Sequence, residues 1–371
     1  MSRFAKPILL ASIFLAIPAV AGASAVTGTW KKLPSAPIVV DDSLTSVWTG
    51  KQLLVYGRHN GAEVAADYDP AANSWTKLTA ANERVPAWGY RAVWTGKEMI
   101  VWSPFGSEAL NPTTKTRRQL KGSVPGGIIV WTGREAIGWG GGCCGDARSD
   151  GAAYNPRNDT FRKLPRAPLA PSQGPVGAWD GRELLLFVSG LNPDGKPYPA
   201  RLARAAAYNP TTNRWRRLAP APALGGTAVW DGSELLLVAA GARARQAFVY
   251  APRTNRWRTL APLPATRRGP TAIWTGHHVL LWGGENLRAT APVRDGIAYD
   301  PHMNRWTSIP RSPLRARDGA TVAWTGRSLI VWGGAIGTPL GTSIPPRHLA
   351  DGAVFTPSVR AMGATDGMCG G

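Results

Sequence analysis

Apolar residues in this chain come in short runs bounded by turn residues, and four kinds of run follow one another in a fixed order. The first is small and apolar, as in Val176–Trp179 or Thr227–Trp230. It ends at Thr-Gly or Asp-Gly, which suits a two-residue hairpin because Gly tolerates positive φ. The second is continuously apolar, as in Leu184–Phe187 or Val279–Trp282, and reads as a strand buried on both faces. The third, after a variable segment, ends in Tyr, a small or polar residue, and Pro: Tyr68-Asp69-Pro70, Tyr154-Asn155-Pro156, Tyr208-Asn209-Pro210, Tyr250-Ala251-Pro252 and Tyr299-Asp300-Pro301. The fourth carries an aromatic at Trp75, Phe161, Trp215, Trp257 and Trp306. Between the third and fourth, Pro sets φ and Asn tolerates the left-handed region, as a turn requires.

The set repeats. Trp-Thr-Gly or Trp-Asp-Gly occurs at Trp48, Trp94, Trp131, Trp179, Trp230, Trp274 and Trp324, at intervals of 46, 37, 48, 51, 44 and 50 residues. Self-similarity near this period marks a repeat architecture built from one four-stranded unit. The last unit has a third strand at Phe355-Thr356-Pro357 but no aromatic five residues beyond the Pro. The missing fourth strand is at the other end, in Thr29-Trp30-Lys31-Lys32-Leu33-Pro34. Pairing the two ends would close a ring and remove exposed strand edges. The expected fold is all-β: a seven-bladed propeller sealed by the strand around Trp30.

These features resemble the kelch-repeat propellers, including bacterial exported proteins of the galactose oxidase-like kind. The family's Gly-Gly after the second strand is present at Gly140-Gly141, Gly283-Gly284 and Gly333-Gly334 and degraded in the other blades. The resemblance covers nearly all of the chain after residue 25 and implies a fold, whereas function must be argued from a site.

Residues 1–25 carry Arg3 and Lys6, an apolar stretch from Ile8 to Val20 and the small-residue site Ala23-Ser24-Ala25. They read as a secretory signal peptide cleaved near Ala25. A membrane anchor is the competing reading, but the stretch is short and contains Pro18. No other segment is long enough to span a bilayer. The expected organisation is a signal peptide over 1–25, the propeller over 26–357 and a tail over 358–371. Export to the periplasm or beyond follows from that reading.

The formal charge is +20, and Arg outnumbers Lys by thirty-three to ten. One reading is attraction to anionic surfaces or substrates such as acidic polysaccharide. A GC-rich genome is the other, since Ala, Gly and Pro are abundant too. Nucleic acid fits poorly, because no stacking motif of the RNA-binding type is present. In propellers of this kind the loops joining second to third strands share a rim with the linkers between blades. Those loops carry Arg58, Arg148, Arg201, Arg204, Arg243, Arg245, Arg288, Arg294 and Arg347. Arg offers a planar fork for carboxylate or phosphate, and variable loops on a rigid ring are the usual place for recognition. The alternative is a soluble charged rim without a ligand.

Of five His, only His59 and His348 fall in such loops, in the ring-neighbouring first and seventh blades, with Asp351 near enough to orient an imidazole. They are the candidate acid/base residues if the protein is an enzyme. Copper oxidase chemistry of the galactose oxidase kind needs Tyr and His ligands and a Tyr cross-linked to Cys. Here no Tyr adjoins a His, and the repeated Tyr residues hold a structural position, so no metal or other cofactor is expected. Cys143, Cys144 and Cys369 make an odd count. Twelve residues from Pro357 reach at most about 40 Å, so a vicinal Cys143–Cys144 disulfide is favoured over a bridge to Cys369, with three free thiols as the alternative. The function read from these features is an exported recognition scaffold for an anionic glycan or a protein partner. The alternative is a carbohydrate-active enzyme (epimerase, lyase or hydrolase) on the same rim.

Overall fold

The computed structural model describes residues 26–78, 89–103, 106–122, 126–142, 146–192, 194–199, 201–223, 225–287, 291–336 and 346–358. Residues 1–25, the three cysteines and Arg288 lie outside them. Seven four-stranded antiparallel sheets account for nearly all the regular structure. Their innermost strands are Asp42–Trp48, Arg91–Trp94, Ile128–Trp131, Val176–Trp179, Gly226–Trp230, Thr271–Trp274 and Thr321–Trp324. Each neighbours the next and the last neighbours the first, so the sheets form a closed ring. The fold is a seven-bladed β-propeller. Among the described residues, no helix is long and apolar enough to cross a membrane.

Blade four shows the plan. Val176–Trp179 pairs with Leu184–Phe187, then Ala205–Asn209, then Arg214–Arg217 at the outer edge. The second strand is apolar throughout because both its faces are covered. Leu184 and Leu186 pack with Ile137 and Trp139 of blade three, whereas Leu185 and Phe187 pack with Leu235 and Leu237 of blade five. Full burial of such side chains contributes about 1.5–3 kcal/mol each, so one short strand binds three blades together.

The recurrent Trp-Thr/Asp-Gly is a turn device. The Thr49 N–H donates to Gln52 O at 3.0 Å and closes the two-residue loop Gly50-Lys51. The Thr49 hydroxyl accepts from the N–H of Lys51 and Gln52 at 3.2 and 2.8 Å. An Asp180 carboxylate oxygen does the same for Arg182 and Glu183 at 2.7 and 2.6 Å. Thr and Asp are therefore interchangeable at this position. The Gly is not, because its φ lies between +87° and +99° in all seven copies, as the first loop position of a II′ turn demands.

The outer turn has its own logic. Tyr68, Tyr154, Tyr208, Tyr250 and Tyr299 donate through their hydroxyls to Asn73, Asp159, Asn213, Asn255 and Asn304 at 2.7–2.9 Å. Those five acceptors all have positive φ, which Asn and Asp tolerate best among residues with a Cβ. Each Tyr also lies against the aromatic opposite it on the fourth strand, with centroids 4.6–5.2 Å apart. In the seventh sheet Gly28–Lys32 supplies the outer strand, pairing with Gly352–Pro357.

Candidate functional site

Antiparallel order sends every second-to-third loop and every linker between blades to one rim, and both kinds of short turn to the opposite face. On the rim, the Gly-Gly corners let the linker backbone press close. A Cβ on Gly284 would meet Arg268 O at 2.8 Å, and one on Gly334 would meet Asp318 O at 2.5 Å. The Gly283-Gly284 and Gly333-Gly334 corners are each clamped by a buried arginine. Arg267 donates to Gly283 O at 2.9 Å and to the Asp295 carboxylate at 2.7 Å. Arg317, fully buried, donates to Gly333 O at 3.1 Å and to both Asp351 oxygens at 2.7 and 3.2 Å. Burial acts to raise the Asp351 pKa, but Arg317 holds the carboxyl below its ordinary range. Arg267 and Arg317 are brackets of the fold.

The nine loop arginines singled out by the sequence divide by what they hold. Arg58 donates to Gly61 O at 2.6 Å, Arg243 to Pro222 O at 2.9 Å and Arg245 to Leu263 O at 3.1 Å. Arg148 forms a two-pronged pair with Asp150 at 3.1 and 3.0 Å. Among the described residues, the guanidinium groups of Arg201, Arg204, Arg294 and Arg347 have no such partner, and all four residues are exposed. The uncommitted charge is thus smaller than the count of Arg implies.

Arg204 stands at a pocket of about 530 Å³ on the rim of blade four, with Tyr198, Leu202, Arg217, Leu218 and Ser189 among its walls. The loop beneath is well tied. Tyr198 N–H donates to Gly190 O and Asn192 N–H to Lys196 O, at 2.9 and 2.8 Å. The Arg204 stem lies so close to Gly190 that a Cβ there would approach its Cδ to 2.6 Å. Arg217 reaches back to Arg201 O at 2.8 Å. The result is an apolar hollow with two guanidinium groups at its walls, chemically suited to an anionic ligand of sugar size.

His59 and His348 are not joined to each other by any hydrogen bond or ion pair among the described residues. His59 Nδ1 lies 3.0 Å from Asp41 Oδ2, and its Nε2 lies 3.2 Å from Asn60 Nδ2. Asp351, expected to orient an imidazole, is taken by Arg317 because a fully buried guanidinium needs the nearest carboxylate more than a half-buried His does. On the same rim, Asp150, Glu285 and Asp295 are likewise paired with Arg148, Arg268 and Arg267.

A second polar group, missed in the sequence reading, is buried between blades one and two. Arg117 bonds both Glu108 of its own blade and Glu63 of blade one. Tyr90 donates to Glu63 at 3.2 Å, and Tyr56 lies beside Glu108. Burial pushes the Glu108 carboxyl up to about 7; Glu63 adds to the rise, while Tyr56 and Arg117 oppose it. A signal was present in the sequence: blade two has Leu110, Lys115 and Arg117 where its neighbours have Tyr, Asn or Asp, and an aromatic.

No protein-family model matches the chain, and no curated protein matches its sequence. Solved structures do match in fold. The structure of YjhT aligns with a TM-score of 0.54 at 16% identity, over 74% of this chain and 99% of its own. A fungal alcohol oxidase of the AA5 family, solved in complex with copper, aligns with a TM-score of 0.67 at 13% identity, over 89% of this chain and 76% of its own. The likeness is one of fold. Among the described residues, no three His, Cys, Asp or Glu side chains converge as metal ligands, and the three cysteines lie outside those residues. The Tyr residues of the repeat are bonded into the outer turns.

Proposed function

We propose that this protein is an exported, kelch-type propeller that serves as a recognition scaffold, holding an anionic glycan on its loop rim at the cell envelope. The observation that carries the reading is the blade-four pocket, where the Arg204 guanidinium has no partner among the described residues and stands with Arg217 and Tyr198 around an apolar floor. Most other rim cations are neutralised or bonded to backbone, which concentrates usable positive charge in few places. A signal peptide over residues 1–25 accounts for export. The test is retention on an immobilised polyuronate. The Arg204→Ser/Arg217→Ser pair should elute at clearly lower salt than the wild type, whereas Arg214→Ser/Arg256→Ser, on the outer strands, should not. Equal losses from both pairs would reduce the effect to bulk charge.

A further inference from the structure

The seven Trp residues that define the repeat do not serve the rim. They end the innermost strands, so they ring the axis on the hairpin face, one per blade. All seven (Trp48, Trp94, Trp131, Trp179, Trp230, Trp274 and Trp324) are half-buried. Their indole N–H groups differ from the others. Those of Trp30, Trp75, Trp215, Trp257 and Trp306 donate to linker carbonyls at 2.7–3.2 Å, and that of Trp332 donates to Ala350 O. Those of Trp102, Trp139 and Trp282 are sealed without a partner. Among the described residues, none of the seven ring indoles has a hydrogen-bond partner, and none belongs to that sealed group. They present donors to solvent.

A cation stands three positions after the Trp in five of the seven hairpins. Lys51, Lys97, Arg134, Arg182 and Arg327 are all exposed, and among the described residues none of their side chains is hydrogen-bonded or ion-paired. In the remaining two hairpins the position is Ser233 and His277. The face therefore alternates half-buried indoles with free cations, and between blades three and four it is hollowed. A pocket of about 440 Å³ there is walled by Trp179, Arg134, Arg182, Thr132 and Thr211, with the Arg162–Glu135 pair (2.6 Å) at one side.

We infer that this hollow is a second binding site, on the opposite face from the rim, for an acidic saccharide. An indole face packs the C–H side of a sugar ring, its free N–H donates to a ring hydroxyl, and two unpaired guanidinium groups take the carboxylate or sulfate. Three further ring positions, Trp48 with Lys51, Trp94 with Lys97 and Trp324 with Arg327, repeat an indole beside a cation around the axis, so a polymer presenting regularly spaced acids could engage several. An anionic membrane is the competing partner for Trp mixed with Lys and Arg. It fits less well because a bilayer is met by protruding apolar side chains, whereas these indoles are half-sunk. Among the described residues, the large hydrophobic side chain standing well exposed is Met303.

The inference does not depend on the rim reading, and one experiment separates them. Binding of tetragalacturonate to the full chain is followed by Trp fluorescence and calorimetry, with a neutral glucan tetramer and anionic vesicles as comparators. The Arg134→Ser/Arg182→Ser pair, both surface residues, should weaken tetragalacturonate binding about tenfold or more, as expected for losing charge-assisted hydrogen bonds. Trp179→Phe should remove most of the fluorescence response, and the Arg204→Ser/Arg217→Ser rim pair should leave the hairpin-face component in place. The inference is overturned if the wild type does not bind, if the Arg134/Arg182 pair binds as the wild type does, or if vesicles bind and the saccharide does not. A loss seen only in the rim pair would sustain the rim reading alone.

Discussion

Trp30 lies against Phe355, ring centroids 5.2 Å apart, although 325 positions of sequence separate them. The two are direct partners in the antiparallel pair that joins the chain's ends. The Trp30 indole donates to Pro310 O at 2.7 Å, so it also ties blade seven to the linker that precedes it. The geometry matches that of Trp257 and Trp306 in blades whose four strands are continuous in sequence.

Closure of the ring therefore rests on one short strand. Deleting 26–36 should lower the thermal midpoint of the whole domain, because it bares the edge of Gly352–Pro357 and the apolar surface under it. Trp30→Ala alone should cost about 3 kcal/mol, the low end for removing a packed Trp. Urea titration checks both. An unchanged midpoint in the deletion would mean that the ring is held some other way.

A pH dependence follows from the blade-two cluster. The folded state holds the Glu108 proton more tightly than the unfolded chain, since burial raises its pKa from 4.5 to about 7. Stability should accordingly be highest below the unfolded value and fall as pH rises through about 4.5 to 7. By linkage the fall amounts to about 3 kcal/mol. The groups facing Glu108 are Arg117, Glu63 and Tyr56, with Tyr90 bonded to Glu63. Glu108→Gln should flatten the profile. The comparison is of unfolding free energies at about pH 5 and about pH 8, and an equal fall in the variant would assign the effect to other groups.

Rim arginines that look alike in the sequence should behave differently. Arg317→Ala empties the space of a fully buried guanidinium and leaves the backbone acceptors Gly333 O and Asp351 O without their donor, so a loss of about 1–3 kcal/mol is expected. Arg294→Ala and Arg347→Ala remove exposed, unpaired charges and should stay within about 0.5 kcal/mol. Thermal melts of the three variants rank them directly. Similar values for all three would contradict the bracket role of Arg317.

This contrast marks where sequence stops being informative. Strand order and both turns were legible because each depends on residues within one repeat: Thr49 bonds its own hairpin, and Tyr208 reaches only five positions along to Asn213. The closing strand was legible because the last repeat lacks its fourth strand and the N-terminal segment around Trp30 carries that strand's pattern. The partners of the arginines were not legible. Arg317 finds Asp351 across 34 positions and Arg117 finds Glu63 across 54, through corners whose path depends on the whole ring. Lower-face arginines were hidden in the same way: Arg118 and Arg162 bridge a Glu of their own blade to the Tyr hydroxyl of the next. Counting Arg therefore overstated the charge free for a ligand.

Blade two offers the sharpest test of how the repeat is built. Arg117 occupies the register position held by Trp75, Phe161, Trp215, Trp257 and Trp306 elsewhere, opposite Leu110 instead of Tyr. Glu108 occupies the position held by Ala66, Ala152, Ala206, Phe248, Ile297 and Ala353. Arg117→Trp alone should destabilise by about 3–5 kcal/mol, because two carboxylates are left buried without their cation. Restoring the full pattern with Glu63→Ala, Glu108→Ala, Leu110→Tyr, Lys115→Asn and Arg117→Trp should recover that loss and add up to about 4 kcal/mol, since replacing a buried ionic group by packed apolar residues is neutral or stabilising. It should also abolish the pH-dependent fall predicted above. A five-fold variant less stable than Arg117→Trp alone would show that this cluster shapes the interface of blades one and two in a way the other blades do not share.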